Sequence, residues 1–177
     1  MAIKTASGTG SELDRILGEV GQPDARVLLY FFSAGLSDPP LHAAVRAKFP
    51  TIPCVGASMI GGWSNGGAVE KGIVAMSLSS AEVAEAFVSS SEGVKADPVA
   101  ATRRAIADMK RKLGQRRLNP TEYVGIILFD GLCLGEKVMR ELSAEEDFCI
   151  PLVGGAAADE LAFRETFVAS EGKASGD

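Results

Sequence analysis

An α/β fold is what this sequence predicts, and three observations predict it. Two continuous apolar runs of strand length, "RVLLYFF" at 26–32 and "YVGIILF" at 123–129, suit strands covered on both faces. Each run is followed by a turn and then by a helical pattern. Each helix is followed by Ile-Pro-x-Val-Gly, at 52–56 and again at 150–154, leading into small residues. The offset between matching features stays near 97 residues. The unit strand, turn, helix, strand, small-residue loop is thus written twice. The expectation is two related βαβ-type halves forming a mixed, largely parallel sheet flanked by helices.

Taken in order, "SELDRILGEV" opens on Ser11 as a candidate N-cap and reads as a short amphipathic helix. The run 26–32 is the first buried strand. "SAGLSDPP" is turn chemistry, with Pro39 and Pro40 at the start of the helix "LHAAVRAKF", which Pro50 ends. "IPCVGA" is a short buried strand, "SMIGGWSNGG" a loop or hairpin, and "AVEKGIVAMSLS" a long strand. "AEVAEAFVSS" fits either a helix or a strand. "DPVAATRRAIADMKRKLGQRR" is the clearest helix, with Asp97 as N-cap, Pro98 at the first helical position and basic residues crowding its end. "YVGIILFDG" is a strand, "GEKVMREL" a helix, and "CIPLVGG" and "FRETFVAS" strands. Residues 1–24 form a helical lead-in to a domain at 25–177, whose halves, about 26–95 and 122–177, are joined by the helix 97–118.

Composition narrows the function. There are 18 Lys and Arg against 23 Asp and Glu, a formal charge of −5, which favours neither nucleic acid nor an anionic membrane as partner. No apolar run approaches the ~20 residues of a membrane span. "MAIKTASGTGSELDR" lacks an apolar signal core. Cys54, Cys133 and Cys149 are odd in number and show no CxxC spacing, which argues against a disulfide framework or a zinc site. A reducing cytoplasm is the default. Cys54 and Cys149 read as inert core thiols, Cys133 as more exposed.

The two glycine-rich stretches, 56–62 and 154–159, fall at strand carboxyl ends, where open α/β sheets bind ligands. Small residues there let backbone amides approach a ligand. Glycines after a strand also serve simply as turns. Gly56 and Gly61 have phosphate-loop spacing, but Gly62 and Trp63 stand where Lys and Ser/Thr are needed, so nucleotide binding is disfavoured. The one histidine, His42, at a helix start, suits a surface or capping role. No GxSxG elbow occurs. Asp130, Asp159 and Glu160 are the carboxylates near the loops. Asp159 suits either an ammonium partner or a turn cap. Trp63 suits either a ligand cover or a hydrophobic plug. The basic helix reads as a solvated face.

In this order and spacing, "RVLLYFFSAG", "IPCVGASMIGG", the strand ending "IVAMSLS", "YVGIILFDGL" and "IPLVGGAAADELAF" resemble the FIST N-terminal domain over roughly residues 25–170. The resemblance implies a non-enzymatic, ligand-sensing module of prokaryotic signal transduction, with amino acids as the ligand class and a signalling output protein or domain as partner. Ser58 and Gly61 fit the first motif of that family, with Gly62 in its acidic place. Gly154, Gly155, Ala157 and Asp159 fit the second, with Ala156 where Ser is common. The expected ligand site is Ser58, Gly61, Trp63, Gly155, Ala156 and Asp159. Backbone amides would hold a carboxylate and Asp159 an ammonium; no catalytic residue, metal or cofactor is called for. One alternative is a haem-binding nitric oxide sensor, for which only His42 offers an imidazole. Another is a small hydrolase using Ser58 or Cys133. A third is a self-assembling chain: the family pattern expects a further strand after "FVASEG", and its absence would leave a sheet edge open for a homo-oligomer.

Overall fold

The computed structural model describes residues 3–176. Their elements in chain order are β1 (Ile3–Gly8), α1 (Leu13–Glu19), β2 (Ala25–Ser33), α2 (Pro39–Lys48), β3 (Cys54–Met59), β4 (Gly62–Ser64), β5 (Gly67–Val69) and β6 (Ile73–Ser79). There follow α3 (Pro98–Leu113), β7 (Gly125–Phe129), α4 (Gly135–Ser143), β8 (Leu152–Ala156), β9 (Val168–Ser170) and β10 (Lys173–Ser175). Among the described residues the main sheet has six strands in the order β1-β6-β2-β3-β9-β10. β4 and β5 form a separate hairpin, and β7 and β8 a separate pair.

The fold is α/β with a mixed sheet, but the main sheet is mostly antiparallel. Only β2 and β3 run parallel; β1–β6, β6–β2, β3–β9 and β9–β10 are antiparallel. A parallel return needs a crossover of about a dozen residues or more, usually a helix. After β3 the chain instead folds into the hairpin and comes back as β6 beside β2. Each half nevertheless holds a β–α–β unit with parallel strands: β2-α2-β3, and β7-α4-β8.

The Ile-Pro-x-Val-Gly motifs start both parallel ladders. The Pro53 carbonyl accepts from Leu28 N at 2.9 Å, and the Pro151 carbonyl from Gly125 N at 2.8 Å. Three residues on, the motif glycine passes so close to its neighbour strand that no side chain fits. A Cβ on Gly56 would lie 2.1 Å from the Tyr30 carbonyl oxygen, and one on Gly154 1.8 Å from that of Ile127.

The core lies between the main sheet and helices α1 and α2. Leu28, Tyr30 and Phe32 of β2, Cys54 of β3 and Ile73 and Ala75 of β6 meet Ile16, Leu17, Val20, Leu41, Val45 and Phe49. The even positions of β2 share one face because side chains alternate along a strand. α3 begins as its sequence predicts: the Asp97 carboxylate accepts from Ala100 N at 3.0 Å, and Pro98 follows it. Its basic residues pair with the acidic flank of the second half, Arg103 with Glu141 at 2.7 Å and Lys110 with Glu145 at 2.8 Å. Arg103, Arg104, Arg111 and Lys112 are exposed, so the basic side is a solvated face laced with surface ion pairs.

Several elements differ from the sequence expectation. The lead-in contains a strand, β1, which pairs with β6 along its length. The helix after it is entered through a 3-10 turn, Gly10–Glu12, whose N-cap is Thr9 rather than Ser11; Thr9 N–H donates to the Glu12 carboxylate at 2.9 Å. The long strand read at 68–79 is broken by the turn at 70–72. Residues 81–90 form neither helix nor strand, running beside α3 through Ser89 Oγ, which donates to the Ala105 carbonyl at 2.7 Å. The further strand that the family pattern expects is present as β10, three residues paired with β9. Cys149 is exposed, not a core thiol; Cys54 is buried.

Candidate functional site

The carboxyl ends of β3, β7 and β8 gather at one side of the molecule, and the structure joins them through backbone and short side chains. Ser58 sits at the centre, 2% exposed. Its N–H donates to the Phe167 carbonyl at 2.8 Å, its hydroxyl accepts from Phe167 N at 2.9 Å, and its carbonyl accepts from Ala158 N at 2.9 Å. The two small-residue loops therefore touch. Gly131, just past β7, meets the same region: its N–H donates to Thr166 Oγ1 at 3.0 Å, and its Cα lies against the Ala157 carbonyl. Lys71, at the base of the hairpin, faces Glu160 at 3.9 Å.

Asp159 organises the second loop. Its Oδ1 accepts from Phe163 N at 2.9 Å, and its Oδ2 accepts from Arg164 N at 2.6 Å and Glu165 N at 3.1 Å. These amides, Arg164 foremost, hold the carboxyl below its usual range against the opposing effect of burial. The loop they fix is unusual: Glu160, Leu161 and Phe163 have φ of 60°, 66° and 53°, the left-handed region that non-glycine residues seldom occupy. With the acceptor gone, three amides lose a charged partner and the strained turn loses its hub. We expect Asp159→Ala to open residues 160–165 to proteolysis and hydrogen exchange while the core stays protected. Equal protection of residues 160–165 in Asp159→Ala and the wild type would refute this role. Because the folded pKa is depressed, the Asp159 contribution is present above the ordinary pKa of 3.8 and is lost as pH falls through the folded value.

The remaining expected site residues are placed less tightly. Trp63 is 80% exposed on β4, opposite Ala68. The hairpin that presents it is tied to β1 by Ser7 Oγ to Ser64 Oγ at 2.8 Å and Asn65 Nδ2 to Thr5 Oγ1 at 3.2 Å. Gly61 is exposed just before it. Gly155 and Ala156 lie on β8 opposite Leu128 and Phe129, and a Cβ on Gly155 would meet open space. The structure thus brings Ser58 and the Asp159 loop into contact, while Gly61 and Trp63 lie at the hairpin tied to β1 and Gly155 and Ala156 on β8.

Sequence reading missed the apolar rim. Leu161 and Phe163 are 66% and 73% exposed, and Ile60, Leu132 and Leu134 are exposed with them, all on loops after β3, β7 or β8. The signal was available in "DELAF": large apolar residues directly after a glycine-rich strand end, with no periodicity to bury them. Exposed apolar groups clustered at loops mark interaction sites. A separate open groove of about 530 Å³, lined by Ser7, Gly8, Glu12 and Val69 among others, lies beside the hairpin.

His42 is not on the surface. It is 1% exposed, with Nδ1 2.9 Å from the Tyr30 hydroxyl and Nε2 3.2 Å from the Ser37 carbonyl. Both ring nitrogens are engaged inside the core, so it does not fit a haem iron, which needs an imidazole nitrogen on an open face. Nor are the two candidate nucleophiles, Ser58 and Cys133, set up for attack. The Ser58 hydroxyl is buried and binds a backbone amide, and burial together with the charge of Asp130 pushes the Cys133 thiol above its ordinary value, away from the reactive thiolate. Cys54 is pushed up to about 12, chiefly by burial. Among the described residues no group of three or more His, Cys, Asp or Glu is placed to hold a metal ion, and no helix is long and apolar enough to cross a membrane.

The structure is a mixed α/β sheet whose small-residue strand ends meet at one side. The family model of the FIST N domain matches residues 26–177, and the chain belongs to that family. The FIST domain is a sensory domain of signal transduction, generally non-catalytic. No curated protein and no solved structure matches the chain.

Proposed function

We propose that this chain is a non-catalytic sensor of a small ligand, of amino acid size, bound on the crown where the two glycine-rich strand ends meet. The observation that carries the reading is the 2.9 Å hydrogen bond from Ala158 N to the Ser58 carbonyl, which makes one platform of loops from both halves. Trp63, Leu161 and Phe163 supply apolar walls. Gly61, Gly155 and Ala156 leave backbone open to the ligand, and Ser58 and Asp159 hold the loops in register rather than touching it. Signalling then passes to an output protein or domain.

The test uses Trp63, the single tryptophan, as its own reporter. Free amino acids are titrated against the purified chain while its emission is followed. A member that binds shifts the spectrum saturably and raises the unfolding midpoint, by about 2.7 kcal/mol of added stability at a hundredfold excess over Kd. Trp63→Phe is expected to remove the optical signal and to weaken the thermal shift. A thermal shift left at full size in Trp63→Phe would take Trp63 out of the site. A panel that moves neither observable would sink the amino acid reading.

A further inference from the structure

Asp130, directly after β7, is a buried carboxylate with one unsatisfied oxygen. It is 2% exposed; Oδ1 accepts from Leu132 N at 2.7 Å, while Oδ2 has no hydrogen-bond partner. The nearest positive charge is the ammonium of Lys95, 3.4 Å from Oδ2, an ion pair without hydrogen-bond geometry. A buried charge is costly unless it is paired and hydrogen-bonded, so such an oxygen needs an explanation. The Lys95 side chain is itself a third exposed, and its ammonium also donates to the Gly176 carbonyl, just past β10. Asp130 adjoins the crown: Gly131, the next residue, is the one bonded to Thr166 and pressed against Ala157. Asp159, by contrast, has both oxygens filled by backbone amides.

We propose that Asp130 is the crown's receptor for a primary ammonium group, and that Lys95 is a built-in competitor which a ligand ammonium displaces. The proposal rests on the reading of the crown as a ligand site. The chemistry selects an ammonium over a guanidinium. A guanidinium fork binds best with both carboxylate oxygens, and Oδ1 is already taken by Leu132 N; a compact ammonium needs only Oδ2. Displacement has a consequence built into the fold. Lys95 lets go of Asp130 and of the Gly176 carbonyl together, so occupancy of the crown is coupled to the end of the edge strand β10.

Thermal unfolding with ethylammonium chloride tests this, with sodium chloride and tetramethylammonium chloride as controls at equal concentration. Ethylammonium is expected to raise the wild-type midpoint by about 3 °C above both controls at roughly fivefold excess over its Kd. Asp130→Asn loses that difference. Lys95→Met, with the competitor removed, reaches it at a roughly tenfold lower concentration. Indifference of wild type and Lys95→Met to ethylammonium overturns the proposal, as does an Asp130→Asn response equal to the wild type. If Lys95→Met does not fold, the wild type and Asp130→Asn decide alone, and an indifferent wild type then overturns it. Amino acids that move Trp63 emission equally in wild type and Asp130→Asn would leave the crown as a ligand site and remove only the role of Asp130. An ethylammonium response that depends on Asp130, in a chain whose Trp63 ignores every amino acid, would do the reverse.

Discussion

Gly56→Ala and Gly154→Ala are each expected to destabilise the chain by about 3 kcal/mol, lowering the unfolding midpoint by roughly 6–12 °C. The Cβ atoms they add have nowhere to go: the nearest atoms are backbone carbonyl oxygens, 2.1 Å away at Gly56 and 1.8 Å away at Gly154, and backbone cannot swing aside as a long side chain can. Gly154 carries a second cost, since its φ of 149° is one that L residues seldom adopt. Relief requires β3 to part from β2, or β8 from β7, at the point where each parallel ladder has just begun. Gly56 is bordered by the main core and Gly154 by the smaller second half, so Gly56→Ala should lower the global midpoint, whereas Gly154→Ala should loosen β7, β8 and α4 first. The control is Gly18→Ala in α1, where an added Cβ meets nothing within 4 Å. Alanine is the better helix former, so that variant should gain about 0.5–1 kcal/mol. Chemical denaturation of the three variants, with hydrogen exchange for the location of the effect, measures all of this. A Gly56→Ala midpoint at or above that of the wild type would show that the close approach is not what the motif is for.

The repeated motif was legible for the same reason that it is costly to change: it is local, and its glycines and prolines act on their own neighbours. The strands at 26–32 and 123–129 were legible because apolar runs of that length have few other fates, and α3 because Asp97 and Pro98 mark its start. β1 was not. "IKTASG" has no apolar run; it becomes a strand because β6 offers it an edge, with Ala6 opposite Ala75. β10 is likewise set by pairing against β9 and by nothing in its own composition, and of the strand read at 163–170 only the three residues that pair with β3 form β9. Strand direction was misjudged because the glycine-rich stretch at 61–67 permits a tight hairpin, which sends the chain back antiparallel. At the site, the meeting of the two loops was foreseen from their placement at strand ends. Of the two readings of Asp159, the turn cap is the engagement observed; its partners, four to six residues downstream in a loop with no periodicity, were not legible. Asp130 reads in sequence as one of three carboxylates near the loops, and only its buried oxygen without a hydrogen-bond partner singles it out among them.

The stability of the chain is expected to fall as pH drops below about 6.5, and His42 is the cause. Burial is the main influence on its pKa and lowers it from the ordinary 6.5, with the Ser37 carbonyl opposing. Its partners define the neutral ring: Nδ1 accepts from the Tyr30 hydroxyl and Nε2–H donates to Ser37, with Phe32 edge-on at 5.0 Å. Between the depressed folded pKa and 6.5 the unfolded chain binds more protons than the folded one. Stability is therefore full above about 6.5 and declines as pH falls through that window. His42→Leu is expected to cost about 2–3 kcal/mol at pH 7.5, because it strands the buried Tyr30 hydroxyl and alters packing against Phe32. It also removes the slope, so the gap between variant and wild type narrows at pH 5.5. Tyr30→Phe strands Nδ1 instead, at about 1–2 kcal/mol. The double variant, with neither polar partner left behind, should lose less than the sum of the two, since each single change pays for a group abandoned in the core. Urea unfolding of the four chains at the two pH values gives the cycle directly. Equal slopes in wild type and His42→Leu would assign the acid sensitivity elsewhere, and strictly additive losses would mean that Tyr30 and His42 do not act as a pair.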